Sequence, residues 1–234
     1  MRMSEGPDYE YITEVSKSGI DCIFEVKKYN PYHGKDGRFT SSSGGSVGVS
    51  VGMGVGNYIP EGKRAAVAAT LYSAETKNMS LDHEVATIVN PDNGKAIFSK
   101  EGTRYGVSFN SSELWEIKGQ ILTHNHPDEV IFSPQDVAVA YHVKAIRATN
   151  PDGKVYELSG VKNRMAIQEY NQHYMGERAK SLEKMGLDSK TRDIDLTPEQ
   201  RKTSFSEISK SCDKWLSDNA SKYRYEYNVG RIEE

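Results

Sequence analysis

The chain has 234 residues, 36% hydrophobic and 27% charged, with a mean hydropathy of −0.67. Thirty Lys+Arg against 33 Asp+Glu give a formal charge of −3 and a pI near 6.1, which excludes a generally basic nucleic-acid binder and a strongly acidic solvating chain. No apolar run reaches the roughly 18 residues that span a bilayer, and two cysteines, Cys22 and Cys212, exclude a disulfide scaffold and fit a reducing compartment.

The first residues, MRMSEGPDYEY, lack an apolar h-region, so a secretory signal is not expected. Ile20 to Lys28 reads as a short strand, followed by the turn formers Asn30-Pro31 and Asp36-Gly37, with His33 in an exposed turn. Residues 41–56, SSSGGSVGVSVGMGVG, hold six Gly and five Ser and read as a flexible linker. Gly52, Gly54 and Gly56 resemble part of a phosphate-cradling loop, but no GK[ST] follows, so the linker reading is preferred.

From about Pro60 the composition changes. Ala-rich filling with Leu71 and Tyr72 predicts a helix over Arg64 to Thr76. Glu84 to Val89 is β-branched, NPDNG at 90–94 turns, and KAIFS at 95–99 returns, which predicts a hairpin. Tyr105 to Phe109 and Lys118 to Thr123 are further candidate strands. Ser133 as N-cap with Pro134 at the first helical position opens a helix continuing through Tyr141. Lys144 to Thr149 and Lys154 to Leu158 then flank an NPDG turn, giving an α+β pattern with a largely antiparallel sheet.

The last third changes again. Residues 163–186 suit a helix, and Thr197-Pro198-Glu199-Gln200 opens a second with a capping box. Phe205, Ile208, Cys212, Trp215 and Leu216 form one apolar stripe. Residues 161–234 carry fourteen Lys/Arg and thirteen Asp/Glu, as expected of solvated helical faces rather than a DNA-binding surface. Tyr223, Tyr225 and Tyr227 alternate with charged residues and, without a basic groove, read as strand-edge or packing material. The expected organisation is an extension and linker over 1–59, a compact α+β domain over 60–160, and a helical extension over 161–234.

Chemistry concentrates in ILTHNHPDEVIFSPQD, residues 121–136. His124 and His126 are two apart, so on a strand both imidazoles reach one face and can chelate a divalent metal. Asp136, in the first turn of the following helix, can return as a third ligand, leaving a fourth tetrahedral position for water. Ser133 can donate to an oxyanion developing on an attacked carbonyl. The proton of the attacking water needs a base; Glu84 is the strongest choice, with Asp82 and His83 as polar neighbours. On a strand, His83 faces away from Glu84. His142 and His173 read as surface residues. Spacing alone leaves open that the H-x-H pair is merely two polar strand residues.

Glu84, H-x-H and S-x-x-D together resemble the JAB/MPN (JAMM) metalloprotease family over residues 62–160, with T-H-N-H-P closer to its bacterial, phage and RadC-like branch. The resemblance implies a mixed sheet with flanking helices and Zn2+ held by His124, His126 and Asp136. It further implies Glu84 as general acid/base and Ser133 supporting the tetrahedral intermediate. Six residues separate His126 from Ser133, fewer than the family's commoner spacing, which leaves little room for ubiquitin-gripping insertions. YNPYHGKDGRFTSSSGG, residues 29–45, is similar to a tract in phage head-morphogenesis and portal-associated proteins.

Three functions are compatible with these residues. The chain is expected to be a zinc metallopeptidase or isopeptidase acting on a protein or peptide, with a phage head protein or a host ubiquitin-like protein as partner. The expected setting is the cytoplasm of a bacterial host cell, or the virion. The alternatives are a non-catalytic JAB-like interaction module and a RadC-like protein of nucleic-acid metabolism. The charge balance disfavours nucleic acid as a partner, and no membrane partner is expected.

Overall fold

The computed structural model describes residues 56, 58–128 and 130–232. The strand expected at Ile20–Lys28, the 29–45 tract, Cys22, His33 and nearly all of the Gly/Ser run lie outside the described residues.

The fold is α+β: a six-stranded mixed sheet with helices on both faces. In chain order the elements are α1 (Glu61–Asn78), β1 (Val85–Val89), β2 (Ala96–Glu101), α2 (Ser111–Glu116) and β3 (Ile121–Asn125). They continue as α3 (Pro134–Ala140), β4 (Ala145–Thr149), β5 (Lys154–Ser159), α4 (Arg164–Lys184), α5 (Pro198–Tyr223) and β6 (Glu226–Arg231). The sheet order is β2-β1-β3-β4-β5-β6, with β3 and β4 parallel and every other pair antiparallel. The parallel pair needs a crossover, and α3 lies on it, so the segment that carries Ser133 and Asp136 is held beside the end of β3.

Strands β1, β3 and β4 are buried along their whole lengths. That is the pattern of strands covered on both faces, and it obliges each of their polar residues to find a partner. On one face lies α1, whose buried Val67, Leu71, Glu75 and Asn78 recur every three or four residues along a single stripe. Glu75 reaches the sheet there: its Oε1 accepts from Arg147 Nε at 2.6 Å and from Thr123 Oγ1 at 2.9 Å. Arg147 also pairs with Glu157, which accepts a further bond from Tyr58 at 2.7 Å. On the opposite face, Ile88, Leu122, Ile146 and Tyr156 share one core with Val137 of α3, Tyr170 of α4, and Phe205, Ile208 and Leu216 of α5.

Several expectations are corrected. Helix α1 starts at Glu61, directly after Pro60, rather than at Arg64. Tyr105 to Phe109 is not a strand. Thr103 bridges to Gly106 and the chain folds back on itself; a Cβ at Gly102 would sit 2.3 Å from the Gly106 carbonyl oxygen, so only glycine permits the turn. The boundary at residue 160 is not a break in packing either. Helices α4 and α5 complete the main core, and β6 pairs with β5 along its full length. Tyr225 donates to Leu216 O at 2.6 Å and Tyr227 to Asp213 at 2.6 Å, so the tyrosine run is packing material. Among the described residues no helix is long and apolar enough to cross a membrane.

Candidate metal centre

Strand β3 ends at Asn125, with His124 on the face turned toward α3 and the main core. The chain then stays extended for one residue more, because His126 N donates to Thr149 O of β4 at 2.9 Å. Both imidazoles are buried, and their rings meet edge to face with centroids 4.6 Å apart. His126 Nδ1 lies 3.0 Å from the Val130 carbonyl oxygen. A carbonyl only accepts, so Nδ1 carries a proton, and loss of the second proton would leave an Nε2 lone pair pointing into the site. His124 Nδ1 is buried without a hydrogen-bond partner among the described residues.

Asp136 arrives from the first turn of α3. Ser133 is the N-cap, its Oγ accepting from Asp136 N at 3.2 Å, while Asp136 Oδ2 accepts from Ser133 N at 2.7 Å and from Ser133 Oγ at 2.8 Å. This reciprocal box fixes the carboxylate. Oδ1 lies 3.2 Å from His124 Nε2, Oδ2 lies 3.5 Å from His126 Nε2, and the two Nε2 atoms are 2.8 Å apart. Bonds of about 2.0–2.1 Å in a tetrahedron put neighbouring ligand atoms roughly 3.3 Å apart. The observed separations lie near that value, with Asp136 meeting the two imidazoles through different oxygens. Two imidazole nitrogens and a carboxylate gathered this closely suit a divalent cation shared among them.

Glu84 stands immediately before β1, and ligand atoms of Glu84, His124 and His126 lie within 4.8 Å of one another. Burial pushes the Glu84 carboxyl up to about 7 against the pull of His126 and His124. Burial also opposes the charge on Asp136, but the two imidazoles outweigh it and hold that carboxyl well below the usual range. His126 is subject to the same opposition from burial, which Asp136 and Glu84 overcome, pushing it up to about 9. A cation held by His126 Nε2 would have to displace a proton from it.

All five residues singled out in the sequence line one groove, with Phe205 and Tyr105 on its walls. An Arg104–Asp128 ion pair of 2.6 Å sits beside it. Ser133 is placed differently from the oxyanion donor expected of it: its hydroxyl proton is given to Asp136. The neighbouring alternatives do not join the centre, since His83 binds Asp82 at 3.0 Å. His142 is exposed, whereas His173 is half-buried, bonded to Ser211 and stacked on Trp215. Asn125 went unnoticed in the sequence; its only signal is a polar side chain between two candidate ligands on an otherwise buried strand. Against family models, curated proteins and solved structures, the chain has no match.

Proposed function

We propose that this chain is a zinc-dependent hydrolase of protein amides, a metallopeptidase or isopeptidase built on a JAB/MPN-like site. The observation that carries the reading is the convergence of His124 and His126 with the carboxylates of Asp136 and Glu84, Asp136 meeting each imidazole through a different oxygen, in one groove. A bound zinc ion supplies Lewis acidity and brings the pKa of a coordinated water down to about 7.

The protein's own groups do the rest. Asp136 and the two imidazoles would hold the ion. Glu84, with its carboxyl near 7, is suited to take a proton from the attacking water and give it to the leaving amine. Ser133 acts through Asp136, whose carboxylate it aims. A catalytic arrangement is favoured over a purely structural module because a closed structural site would have no use for an open position and a poised carboxyl. The phage setting, head-protein or ubiquitin-like partner, and host-cytoplasm or virion location rest on the 29–45 tract and the family resemblance.

The test is metal content followed by hydrolysis. Purified protein is expected to hold one zinc per chain, and Glu84→Gln to retain it while losing cleavage of a general protein substrate. A wild-type protein that takes up no zinc from a buffered excess sinks the reading.

A further inference from the structure

We infer that Asn125, the residue between the two histidines, is the positioning residue that aims Glu84 into the centre; the inference rests on Glu84 being its base. The Glu84 carboxylate has no hydrogen-bond partner among the described residues, so what the structure fixes is its Cα–Cβ vector, set by its backbone rather than by a neighbour gripping its oxygens. That backbone is held from both sides.

The β1–β3 ladder runs from Val89↔Ile121 to Ala86↔His124 and stops there. The next register pair sets Val85 opposite Asn125, but the β3 backbone has turned its hydrogen bonding toward β4 by then, with His126 N on Thr149 O. The Asn125 side chain fills the gap. Its Oδ1 accepts from Val85 N at 2.7 Å and its Nδ2 donates to His83 O at 2.8 Å. A carboxamide offers the donor and acceptor of a peptide unit, so it stands in for the missing rung. The two bonds fall on either side of Glu84. From the other edge, Glu84 N donates to Thr103 O at 2.8 Å and Glu84 O accepts from Gly102 N at 2.8 Å.

All four backbone polar groups from His83 O to Val85 N are therefore tied, and residue 84 leaves the chain in one direction. Asn125 is fully buried, at 0% exposure, so water cannot replace either bond in place. Few other side chains can do this. Asp keeps the acceptor but sets an oxygen against the His83 carbonyl, Ser is too short to reach both groups, and Leu fills the volume with neither bond. The histidines are fixed independently, by the β3 and β4 ladders, by Val130 and by Asp136. Loss of Asn125 should therefore free Glu84 while leaving the ligands in place.

The full chain loaded with one equivalent of Co2+ tests this, since cobalt takes zinc's geometry and shifts nearby NMR signals according to distance and angle. In the wild type, the Glu84 side-chain methylene signals should carry a large cobalt-induced shift relative to the zinc form. In Asn125→Ala that shift should collapse. The ring-proton shifts of His124 and His126 should persist, and cobalt affinity should stay within about twofold, the span expected of uncoupled sites. Asn125→Asp, which retains the bond from Val85, should lose part of the Glu84 shift. An unchanged Glu84 shift in both variants overturns the inference and leaves the metal reading standing. So does loss of cobalt or of the histidine shifts in both variants, which makes Asn125 a general structural residue. A wild-type protein that binds neither cobalt nor zinc sinks the metal reading and this one with it.

Discussion

Replacing Ser133 with Ala removes a hydroxyl that makes two bonds inside the capping box of α3: it accepts from Asp136 N and donates to Asp136 Oδ2. The first bond is an N-cap, whose loss costs about 1 kcal/mol of stability. The second is charge-assisted, and bonds to charged groups contribute about 1.5–3 kcal/mol. Asp136 keeps one anchor, the bond from Ser133 N at 2.7 Å, so its carboxylate loosens rather than leaves. Supporting partners of metal ligands are worth about 10–100-fold in metal affinity, which corresponds to about 1.4–2.8 kcal/mol and agrees with the second bond. The expected outcome is a zinc dissociation constant raised ~10–100-fold by competition against a chelating dye, with a metal-free protein ~2.5–4 kcal/mol less stable in urea, since both bonds are present without the ion. Ser133→Thr should restore both, because threonine also caps. Zinc affinity unchanged in Ser133→Ala, with hydrolysis nonetheless abolished, would refute the reasoning and return Ser133 to the role of oxyanion donor.

Four further outcomes are expected. His124→Ala or His126→Ala should abolish stoichiometric zinc uptake measured by atomic emission, since two ligands do not hold the ion in a competing buffer. Glu75→Gln should destabilise the fold by about 3–5 kcal/mol in denaturant melts, because Arg147 loses half of a buried charge balance; a loss below about 1 kcal/mol would mean the pair behaves as an exposed one. In the metal-free protein, stability should fall as pH rises from about 5 to 9. Glu84 and His126 have folded pKa values raised to about 7 and about 9, so each stabilises most below its unfolded value of 4.5 or 6.5 and ceases to do so on deprotonation. Asp136, held low, contributes in the opposite sense, losing its stabilisation only in stronger acid. Zinc affinity should rise over the same range, since binding displaces the His126 proton. A metal-free melting temperature that is flat from pH 5 to 9 would contradict the proton assignment.

Where local chemistry decides the structure, the sequence carried it. Ser133-Pro134 and Thr197-Pro198 cap helices α3 and α5 as read, because an N-cap is satisfied by residues three positions away. The hairpin around NPDNG formed for the same reason. What escaped depends on distant partners. Strand β6 looks like a charged tail until β5, some seventy residues earlier, supplies its rungs. Tyr105 to Phe109 has a strand's composition, but two glycines and a bridge make it a turn. Arg147 reads as an ordinary surface residue in AIRAT; only Glu75 from α1 and Glu157 from β5 make its burial tolerable. At the centre, residue types and spacing singled out five side chains that line one groove, whereas the bonds of Ser133 to Asp136 and of Asn125 to the chain around Glu84 depend on geometry that spacing does not encode.

Strand β3 explains why the centre can be arranged before any ion arrives. Three consecutive residues serve three directions: Thr123 bonds Glu75 under α1, His124 faces His126 and Asp136 in the candidate centre, and Asn125 bridges sideways to the chain around Glu84. A rotation of β3 about its axis that relaxed the crowding of the two imidazoles would have to break the Thr123–Glu75 bond on the opposite face. It would also pull the Asn125 carboxamide from Val85. Arg147, pairing in register with Thr123, loads Glu75 with a second bond and stiffens that opposition. The buried ion pairs beneath α1 thus resist motion of the ligands from across the sheet.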